Sequence, residues 1–449
     1  MTNLRIGIDV RFVEGIFGRG MGRYTLQQLH TVIQATPQHQ YVLFCLKKIP
    51  PSVQAFAKYP NVTLENRFVR YNLHLFIKNE RYLTALTRLI DRLAWEHRLD
   101  VLHVPILLNF IQPIPTQLAS CAVVMTIYDL IPLIFAEHFP QPVVALHHYH
   151  LGINRFKTSD YLIAISQATK HDVMRLPDYP AERIGVAYPA VDTAFMRQNP
   201  AQTASLLAGL WARLNIPAPA QYMFTVTDHF YTKNLETLLR AYAQYPADVT
   251  AHTPLVVTFD IYPKDRIRFM AMTKELGIGE RVIFTGRVSE DELVALYNEA
   301  LFTVYPSRYE GFGYPIAEAM ACGSPVITTT AASMPEVAGD VALLVDPEDA
   351  EAMTDAMHKL YTTPTLRADL REKGLIQAQK FNLQALAEAT LNAYVATASL
   401  KTRPAEKPDN ATLYERYRLV QSRYVYAIKR ILYDGVYLPI RKYIPIHRR

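Results

Sequence analysis

The sequence predicts an α/β protein with two doubly wound parallel sheets and a basic, amphipathic C-terminal extension. Short β-rich runs alternate with helical periods from Leu4 onward, which indicates βα units and parallel strands. At 449 residues the chain is too long for one ordinary core, so we expect two domains. The alternation restarts near Tyr222, after a segment rich in proline and alanine, and the second sheet is predicted to begin there.

The β-rich runs give the predicted strands of each half. In the first half they are Arg5–Asp9, Gln40–Leu46, Val101–Val104, Ala122–Tyr128, Tyr161–Ala164 and Ile184–Ala187. In the second half they are Tyr222–Val226, Leu255–Phe259, Val282–Phe284, Phe302–Tyr305, Val326–Thr328 and Leu343–Val345. Ligands of such sheets bind at the carboxyl ends of the strands, so residues just after strands are the candidates for a site.

The runs also give the predicted domain boundaries. These are a Rossmann-like domain at 1–200, an interdomain linker at 201–220, a second Rossmann-like domain at 221–385, a closing helix at 386–400 that could cross back to the first domain, and a basic, Tyr-rich tail at 401–449.

Composition is typical of a soluble globular protein, with half of the residues hydrophobic and a fifth charged. Cys45, Cys121 and Cys322 are far apart in apolar surroundings, which predicts reduced core residues rather than disulfides. The N-terminus begins a strand almost at once, so we expect no signal peptide, and no apolar run reaches the length of a membrane span. We therefore expect a cytoplasmic protein.

The most informative segment is YPSRYEGFGYPIAEAMACGSP, residues 305–325. It predicts a strand, a glycine-bearing loop and a helix that Pro315 enters and Gly323 ends, because proline suits the first helical turn and glycine a left-handed stop. Backbone N–H groups at such a helix N-terminus bind anions. Glu310 and Glu318 bracket this place, which suits a sugar nucleotide; a structural loop with ordinary surface glutamates is the alternative.

The full segment resembles the signature of the family-4 retaining glycosyltransferases, with Glu310 and Glu318 as its E-x7-E motif. The resemblance continues through VIFTGRVSEDEL at 282–293 and MPEVAGDVALLVDP at 334–347. It implies the GT-B fold, in which a first domain binds the acceptor and a second binds the nucleotide-sugar donor across a cleft. It also implies retaining, metal-independent, hexosyltransferase-like chemistry.

The resemblance implies roles for residues around the motif. Glu318 would accept hydrogen bonds from two ribose hydroxyls, and Glu310 would contact hydroxyls of the transferred sugar. Donor contacts from the loop backbone are implied for Gly311, Phe312 and Gly313. Arg287 resembles a residue beside the base, although an ordinary surface arginine fits equally well.

Two places in the first half match the family less closely. Gly20 and Gly22, in GRGMGRY at 18–24, resemble the glycine loop that faces the donor phosphates, but the motif alone is weak and a flexible loop is the alternative. Tyr128 and Asp129 stand where the family commonly has histidine and aspartate beside the reacting sugar. A phenol stays neutral at pH 7, so Tyr128 would orient the sugar or acceptor, or else only pack at the strand end.

The loop that should hold the diphosphate departs from the family. Lys233 matches the family lysine, but Thr227 replaces the usual glycine, and Asp228 or Thr232 the usual arginine. Cations normally stabilise the charge on a leaving diphosphate, and an aspartate would repel it. Three arginines from other loops could compensate, and the sequence does not choose among them: Arg23, Arg287 and Arg308.

No metal site or other cofactor is expected. The sequence contains no Asp-x-Asp, and His147, His148 and His150 lack a carboxylate or cysteine at ligand spacing, so we interpret them as solvated. Nucleic-acid binding is not expected either, because the net basic charge is confined to the tail. Residues 401–449 carry 12 Lys/Arg and four Asp/Glu.

The Tyr/Ile/Arg pattern of residues 412–449 suits an anionic membrane surface, which predicts peripheral association with the inner face of the membrane. Packing on the first domain or on a partner subunit is the alternative. Taken together, the sequence predicts a retaining glycosyltransferase that uses a nucleotide sugar and a glycan or lipid-linked acceptor in polysaccharide or glycoconjugate synthesis. The altered phosphate loop keeps a rival open, a catalytically impaired GT-B protein that acts as a binding or scaffold subunit.

Overall fold

The computed structural model describes residues 3–11, 20–68, 80–105, 117–138, 156–245, 249, 252–258, 263–402 and 404–405. Three sequence predictions concern residues outside these ranges: Gly18 of the first glycine loop, the histidines between 147 and 150, and the tail segment 412–449.

Seven of the described strands form a parallel sheet in the first half of the chain, in the order β3-β2-β1-β4-β5-β6-β7. They are β1 (Arg5–Asp9), β2 (Gln40–Leu46), β3 (Val62–Phe68), β4 (Val101–Val104), β5 (Ala122–Ile127), β6 (Tyr161–Ala164) and β7 (Ile184–Val186). The helices of this half are α1 (Gly20–Ala35), α2 (Pro51–Gln54), α3 (Glu80–Glu96), α4 (Ile131–Ile134) and α5 (Gln167–Arg175).

The sequence predicted six of these strands to within one residue and missed β3. Its sequence, VTLENRF, mixes apolar and charged residues because β3 is the edge strand and is covered on one side only. Glu65 points inward, and its carboxylate accepts hydrogen bonds from Arg67 Nη2 at 2.7 Å and pairs with His97 Nε2 at 3.0 Å. Burial opposes ionisation, but these partners outweigh it and lower the pKa of Glu65 to about 2.

Six of the described strands form a second parallel sheet, in the order β10-β9-β8-β11-β12-β13. They are β8 (Met223–Val226), β9 (Leu255–Thr258), β10 (Val282–Gly286), β11 (Phe302–Tyr305), β12 (Val326–Thr329) and β13 (Ala342–Val345). The helices are α6 (Pro200–Leu214), α7 (Leu235–Gln244), α8 (Pro263–Glu275), α9 (Glu290–Glu299), α10 (Tyr314–Ala321), α11 (Met334–Ala338), α12 (Ala350–Thr362), α13 (Pro364–Ala378) and α14 (Leu383–Ala398).

Most of the segment predicted as an interdomain linker, 201–220, is the helix α6. Asn199 caps it by accepting a hydrogen bond from the Ala201 N–H at 2.9 Å, and Asn215 ends it in the left-handed region. Leu210 and Trp211 are buried, and the helix packs against α9 of the second domain. The exact boundaries of the domains stay a prediction.

The last described helix, α14, lies on the first sheet. It packs against α1 and strands β4 to β7, and the Tyr394 hydroxyl is 2.8 Å from Nδ1 of His103 on β4. Burial lowers the pKa of His103 to about 3, so this histidine is neutral and joins α14 to the sheet as a hydrogen-bonding group. The chain therefore crosses back to the first domain after completing the second.

Candidate active site

The predicted site residues follow strands at the carboxyl ends of both sheets. In each sheet the strand order reverses between two neighbours, β1 and β4 in the first and β8 and β11 in the second. Such switch points are where doubly wound sheets bind ligands. Gly20 and Gly22 begin α1, the helix after β1, whereas Thr227 follows β8 directly. These positions put candidate residues of both domains at the edges where ligands are expected.

The centre of the site is an ion pair between Lys233 and Glu310. Lys233 Nζ lies 2.8 Å from Glu310 Oε1 and 3.1 Å from the Tyr305 hydroxyl. Glu310 Oε1 also accepts hydrogen bonds from the Tyr305 hydroxyl at 2.9 Å and from Ser307 Oγ at 2.5 Å. Burial alone lowers the pKa of Lys233, but Glu310, Tyr305 and Asp228 together more than offset it, so the pKa lies well above its ordinary value. Lys233 is therefore a fixed cation.

Asn234 fixes the loop that presents Lys233. Its backbone is left-handed, with a φ of 57°, a conformation that asparagine tolerates better than most residues. Its side-chain amide donates to the carbonyl oxygens of Pro306 at 2.9 Å and Pro347 at 2.6 Å. The Lys-Asn pair therefore ties the end of β8 to the loop after β11, and this contact sets the distance between Lys233 and Glu310.

Two further carboxyl groups interact electrostatically with this ion pair. Burial raises the pKa of Asp129 to about 6, helped by the charge of Glu310 and opposed by Lys233. Burial also raises the pKa of Asp228, with Lys233 opposing. Asp228 Oδ1 accepts a hydrogen bond from the Phe230 N–H at 2.8 Å, and Asp129 Oδ1 one from Ile131 N–H at 3.0 Å. The environment of Lys233 thus carries more potential negative charge than positive charge.

The two domains touch at Gly311 and Tyr128. A Cβ atom at Gly311 would overlap the Tyr128 carbonyl oxygen, and Thr169 Oγ1 donates to the carbonyls of both residues. The Tyr128 phenol itself is occupied within the first domain. It lies 2.7 Å from Thr25 Oγ1 and donates to the Pro105 carbonyl at 2.9 Å. These contacts favour the packing role over the sugar-orienting role that the sequence left open.

The helix α10 begins as the sequence predicted. Gly313 caps its N-terminus with a φ of 101°, Pro315 lies in its first turn, and Gly323 follows its end with a φ of 77°. The Phe312 ring packs against the rings of Tyr188 and Phe381, which anchors the loop.

Glu318 lies one turn further along α10 and is buried, with its side chain 8% exposed. Its Oε1 is 3.2 Å from Arg23 Nη1, and its Oε2 is 3.4 Å from the Tyr297 hydroxyl. Burial raises the pKa of Glu318 to about 7, although Arg23 opposes the shift. Glu318 is therefore a carboxyl that changes protonation near neutral pH.

The three arginines that the sequence left as alternatives lie in different places. Arg308 binds the Glu348 carboxylate at 2.5 and 3.1 Å and donates to the Tyr231 carbonyl at 3.0 Å. Arg287 lies in the loop between β10, an edge strand, and α9. Only Arg23 comes from the first domain, and it contacts Glu318 across the cleft.

Two family sequence models match the chain. "Glycosyltransferase Family 4" matches residues 18–195, and "Glycosyl transferases group 1" matches residues 212–376, so together they cover about three quarters of the chain. The chain belongs to the family-4 glycosyltransferases.

Curated relatives of this glycosyltransferase include bacterial mannosyltransferases. O-antigen chain mannosyltransferase B of Escherichia coli is 28% identical over 84% of this chain and 95% of its own length. The serotype-specific mannosyltransferase WbdA of Escherichia coli is 28% identical over 60% of this chain. The match spans about a third of the length of WbdA.

Solved structures show the same fold at low sequence identity. HepE of Anabaena, in complex with UDP and glucose, has a TM-score of 0.64 at 16% identity, over 88% of this chain and 100% of its own. WaaG, a glycosyltransferase of lipopolysaccharide biosynthesis, has a TM-score of 0.60 at 17% identity, over 87% and 99%. The family-4 glycosyltransferase thus has the GT-B fold predicted from its sequence.

Sequence reasoning missed several residues that build this glycosyltransferase site. Tyr305 and Ser307 stand in the quoted signature, but their hydrogen bonds to Glu310 depend on how the chain turns after β11. Glu336 accepts hydrogen bonds from the Gln167 and Ala168 N–H groups of the first domain, at 2.9 Å each. Glu336 stands in the MPEV stretch of the segment 334–347, which carries the family resemblance, but the resemblance did not imply a role for this residue.

Within the described ranges, no group of three or more His, Cys, Asp or Glu residues could hold a metal ion. In the same part of the chain, no helix is long and apolar enough to cross a membrane.

Proposed function

We propose that the protein is a retaining glycosyltransferase that moves a mannosyl residue from a nucleotide donor to a glycan or lipid-linked acceptor in polysaccharide synthesis. The observation that carries the proposal is the Lys233–Glu310 pair beside the N-terminus of α10. It offers a cation for a diphosphate and a carboxylate for sugar hydroxyls at one place. The mannosyl specificity rests on the relatives, several of which are named mannosyltransferases.

In this proposal the second domain holds the donor. Lys233 neutralises charge on the departing diphosphate, and Glu310 accepts hydrogen bonds from hydroxyls of the transferred sugar. Glu318 accepts from the ribose hydroxyls, and Arg287 lies beside the base. Backbone N–H groups of the loop and of the first glycine loop contact the sugar and phosphates: Gly20, Gly22, Gly311, Phe312 and Gly313.

The first domain would hold the acceptor near Asp129. Retention of configuration follows if the leaving diphosphate and the attacking hydroxyl use the same face of the sugar, with a phosphate oxygen taking the hydroxyl proton. Asp129, whose pKa burial raises to about 6, would then orient the acceptor hydroxyl by accepting its hydrogen bond. Tyr128 would position Gly311 through its carbonyl oxygen rather than contact the sugar. This mechanism needs no metal or other cofactor.

The first test is donor binding. The chain is screened by thermal shift against GDP-mannose and against UDP-, dTDP- and ADP-linked sugars, and hits are confirmed by calorimetry with Lys233→Ala. We expect a stabilisation by GDP-mannose that Lys233→Ala removes. Binding of another donor would correct the specificity, and binding of none would favour the scaffold alternative, which no comparison supports at present.

We also propose that residues 412–449 bind the anionic inner surface of the membrane, on the strength of their sequence pattern alone. The test is co-sedimentation of the full chain with liposomes containing phosphatidylglycerol. The variant replaces five tail cations by glutamine: Arg416, Arg418, Arg423, Lys429 and Arg430. Loss of binding in this variant is expected, and equal recovery of both proteins would contradict the proposal.

A further inference from the structure

The site around Lys233 lacks the positive charge that a nucleoside diphosphate needs. Lys233 is paired with Glu310 at 2.8 Å, and Asp228 and Asp129 both interact with it electrostatically. A diphosphate that binds here brings further negative charge. Of the arginines considered from sequence, Arg308 is already held by Glu348 and the Tyr231 carbonyl. A second cation must therefore come from elsewhere if the donor binds well.

Arg23 of the first domain reaches the first turn of α10. Its guanidinium carbon lies 5.9 Å from the centre of the Tyr314 ring, and Tyr314 is the first residue of this helix. Its Nη1 is 3.2 Å from Glu318, which lies four residues further on the same helical face. The Phe195 ring, which also belongs to the first domain, lies 5.1 Å from the guanidinium carbon and supports it. Arg23 thus lies at the helix end where the backbone favours an anion.

Two polar groups at this place lack hydrogen-bond partners within the described chain. Arg23 Nη2 is buried and makes no hydrogen bond, although Asp192 Oδ2 lies 3.4 Å away. The Tyr314 hydroxyl is also buried and makes none. Burial raises the pKa of Tyr314, so its hydroxyl remains a donor at neutral pH. A buried hydroxyl without a hydrogen-bond partner is costly. Together with a neighbouring guanidinium whose Nη2 is held by an ion pair rather than by a hydrogen bond, the Tyr314 hydroxyl points to a ligand at this place.

We propose that Arg23 is the second diphosphate-binding cation of this site, and that the Tyr314 hydroxyl donates a hydrogen bond to the same diphosphate. The proposal rests on the nucleotide-sugar function proposed above and deepens it. The donor is then held between a cation of each domain, Lys233 from the second and Arg23 from the first.

A nucleotide sugar has the groups to replace two of the ion pairs here, Arg23 with Glu318 and Lys233 with Glu310, whereas the pair of Arg23 with Asp192 can remain. Its ribose and sugar hydroxyls can donate to Glu318 and Glu310, which releases Arg23 and Lys233 to the phosphate oxygens. Donor binding would accordingly hold the two domains together, since the diphosphate touches both.

The test compares GDP with guanosine, or UDP with uridine if the uridine nucleotide is the one that binds. Kd values are measured by calorimetry for the diphosphate and by competition at millimolar concentration for the nucleoside. We expect Arg23→Gln to weaken GDP binding at least tenfold more than guanosine binding, and Arg23→Lys to recover part of the loss. A role limited to positioning Glu318 for the ribose predicts equal losses for both ligands and would overturn the proposal.

Tyr314→Phe is a second variant that should leave the fold intact. Its hydroxyl has no protein partner within the described residues, so its removal should not lower the melting temperature. We expect it to weaken GDP binding about fivefold or more, as loss of one hydrogen bond to a charged group does. The matched control is Tyr245→Phe, whose hydroxyl makes a weak 3.5 Å contact to the Met357 carbonyl.

The outcomes separate this inference from the proposed function. Unchanged GDP binding in both Arg23→Gln and Tyr314→Phe, with normal binding by the natural chain, would overturn the inference alone. No binding of any nucleotide diphosphate by the natural chain would overturn both. Loss in Tyr314→Phe but not in Tyr245→Phe would support it.

Discussion

Gly311 in the second domain lies directly against the carbonyl oxygen of Tyr128 in the first. The contact joins the loop that carries Glu310 to the loop that carries Asp129. Because a Cβ would also lie 3.2 Å from Ile165 Cδ1, only glycine fits without moving one domain. The two loops that we propose hold the donor and the acceptor thus depend on one close backbone approach.

Gly311→Ala should separate the two loops and lower turnover. Overpacking of this kind costs roughly 1–3 kcal/mol, so we expect kcat/KM to fall by about tenfold or more. Steady-state kinetics with the best donor measure the effect. The control is Gly209→Ala on α6, where a Cβ meets no atom of the described residues within 4 Å and activity should be retained. Equal activity of the two variants would mean that the contact is not needed for turnover.

Glu336→Gln should loosen the contact between the domains. The Glu336 carboxylate accepts hydrogen bonds from two N–H groups at the N-terminus of α5, and from the Tyr188 hydroxyl at 2.8 Å. A carboxylate at a helix N-terminus is stabilising, and an amide loses the charge. We expect the amides of Gln167 and Ala168 to exchange hydrogen about tenfold faster, as measured by mass spectrometry or NMR.

The control for that experiment is Glu351→Gln, in the exposed first turn of α12. It removes the same charge from a helix N-terminus that faces solvent, and exchange at 167 and 168 should not change. Unaltered exchange in Glu336→Gln as well would show that other contacts hold the domains together.

Asp228→Asn should strengthen binding of a nucleoside diphosphate. Asparagine keeps the oxygen that accepts from the Phe230 N–H, but it removes one negative charge near Lys233. A gain of about 1 kcal/mol, or roughly fivefold in Kd, is reasonable for a charge pair in a partly solvated cleft. Calorimetry with GDP measures it, with Asp369→Asn on the exposed face of α13 as control. Weaker binding would instead indicate that Asp228 accepts a hydrogen bond from the donor.

Donor affinity should rise with pH as Glu318 ionises. Burial raises the pKa of Glu318 to about 7. Below pH 7 the Glu318 carboxyl therefore carries a proton that must leave before both of its oxygens can accept hydrogen bonds from the ribose hydroxyls. The affinity for a nucleotide sugar should therefore fall by up to about tenfold per pH unit below 7 and level off above it. Calorimetry between pH 5.5 and 8.5 tests this. Glu318→Gln should bind more weakly with a flat profile; the same slope in this variant would assign the proton to another group.

The sequence predicted most of the architecture because parallel buried strands have a clear apolar pattern. It missed β3, where Glu65 and Arg67 interrupt that pattern at the sheet edge. It interpreted α6 as a linker because the prolines and alanines of 199–220 are typical of connections, although proline at the first turn also begins a helix.

The sequence also predicted roles for Lys233, Glu310 and Glu318 through the family resemblance, and these roles stay predictions. It could not choose among Arg23, Arg287 and Arg308, because that choice depends on how the two domains face each other. Nor could it decide the role of the Tyr128 phenol, which depends on the positions of Thr25 and the Pro105 carbonyl. Long-range geometry of this kind is not encoded in local spacing.

The most direct test of the proposed activity is release of nucleoside diphosphate from GDP-mannose, together with transfer of labelled mannose to a lipid-linked or glycan acceptor fraction. We expect turnover by the natural chain and a loss of at least about 100-fold in Lys233→Ala and in Glu310→Gln. Each substitution removes a protein charge that, in the proposed mechanism, contacts the reacting end of the donor. Turnover that survives both substitutions, or donor binding without any turnover in the natural chain, would contradict the account.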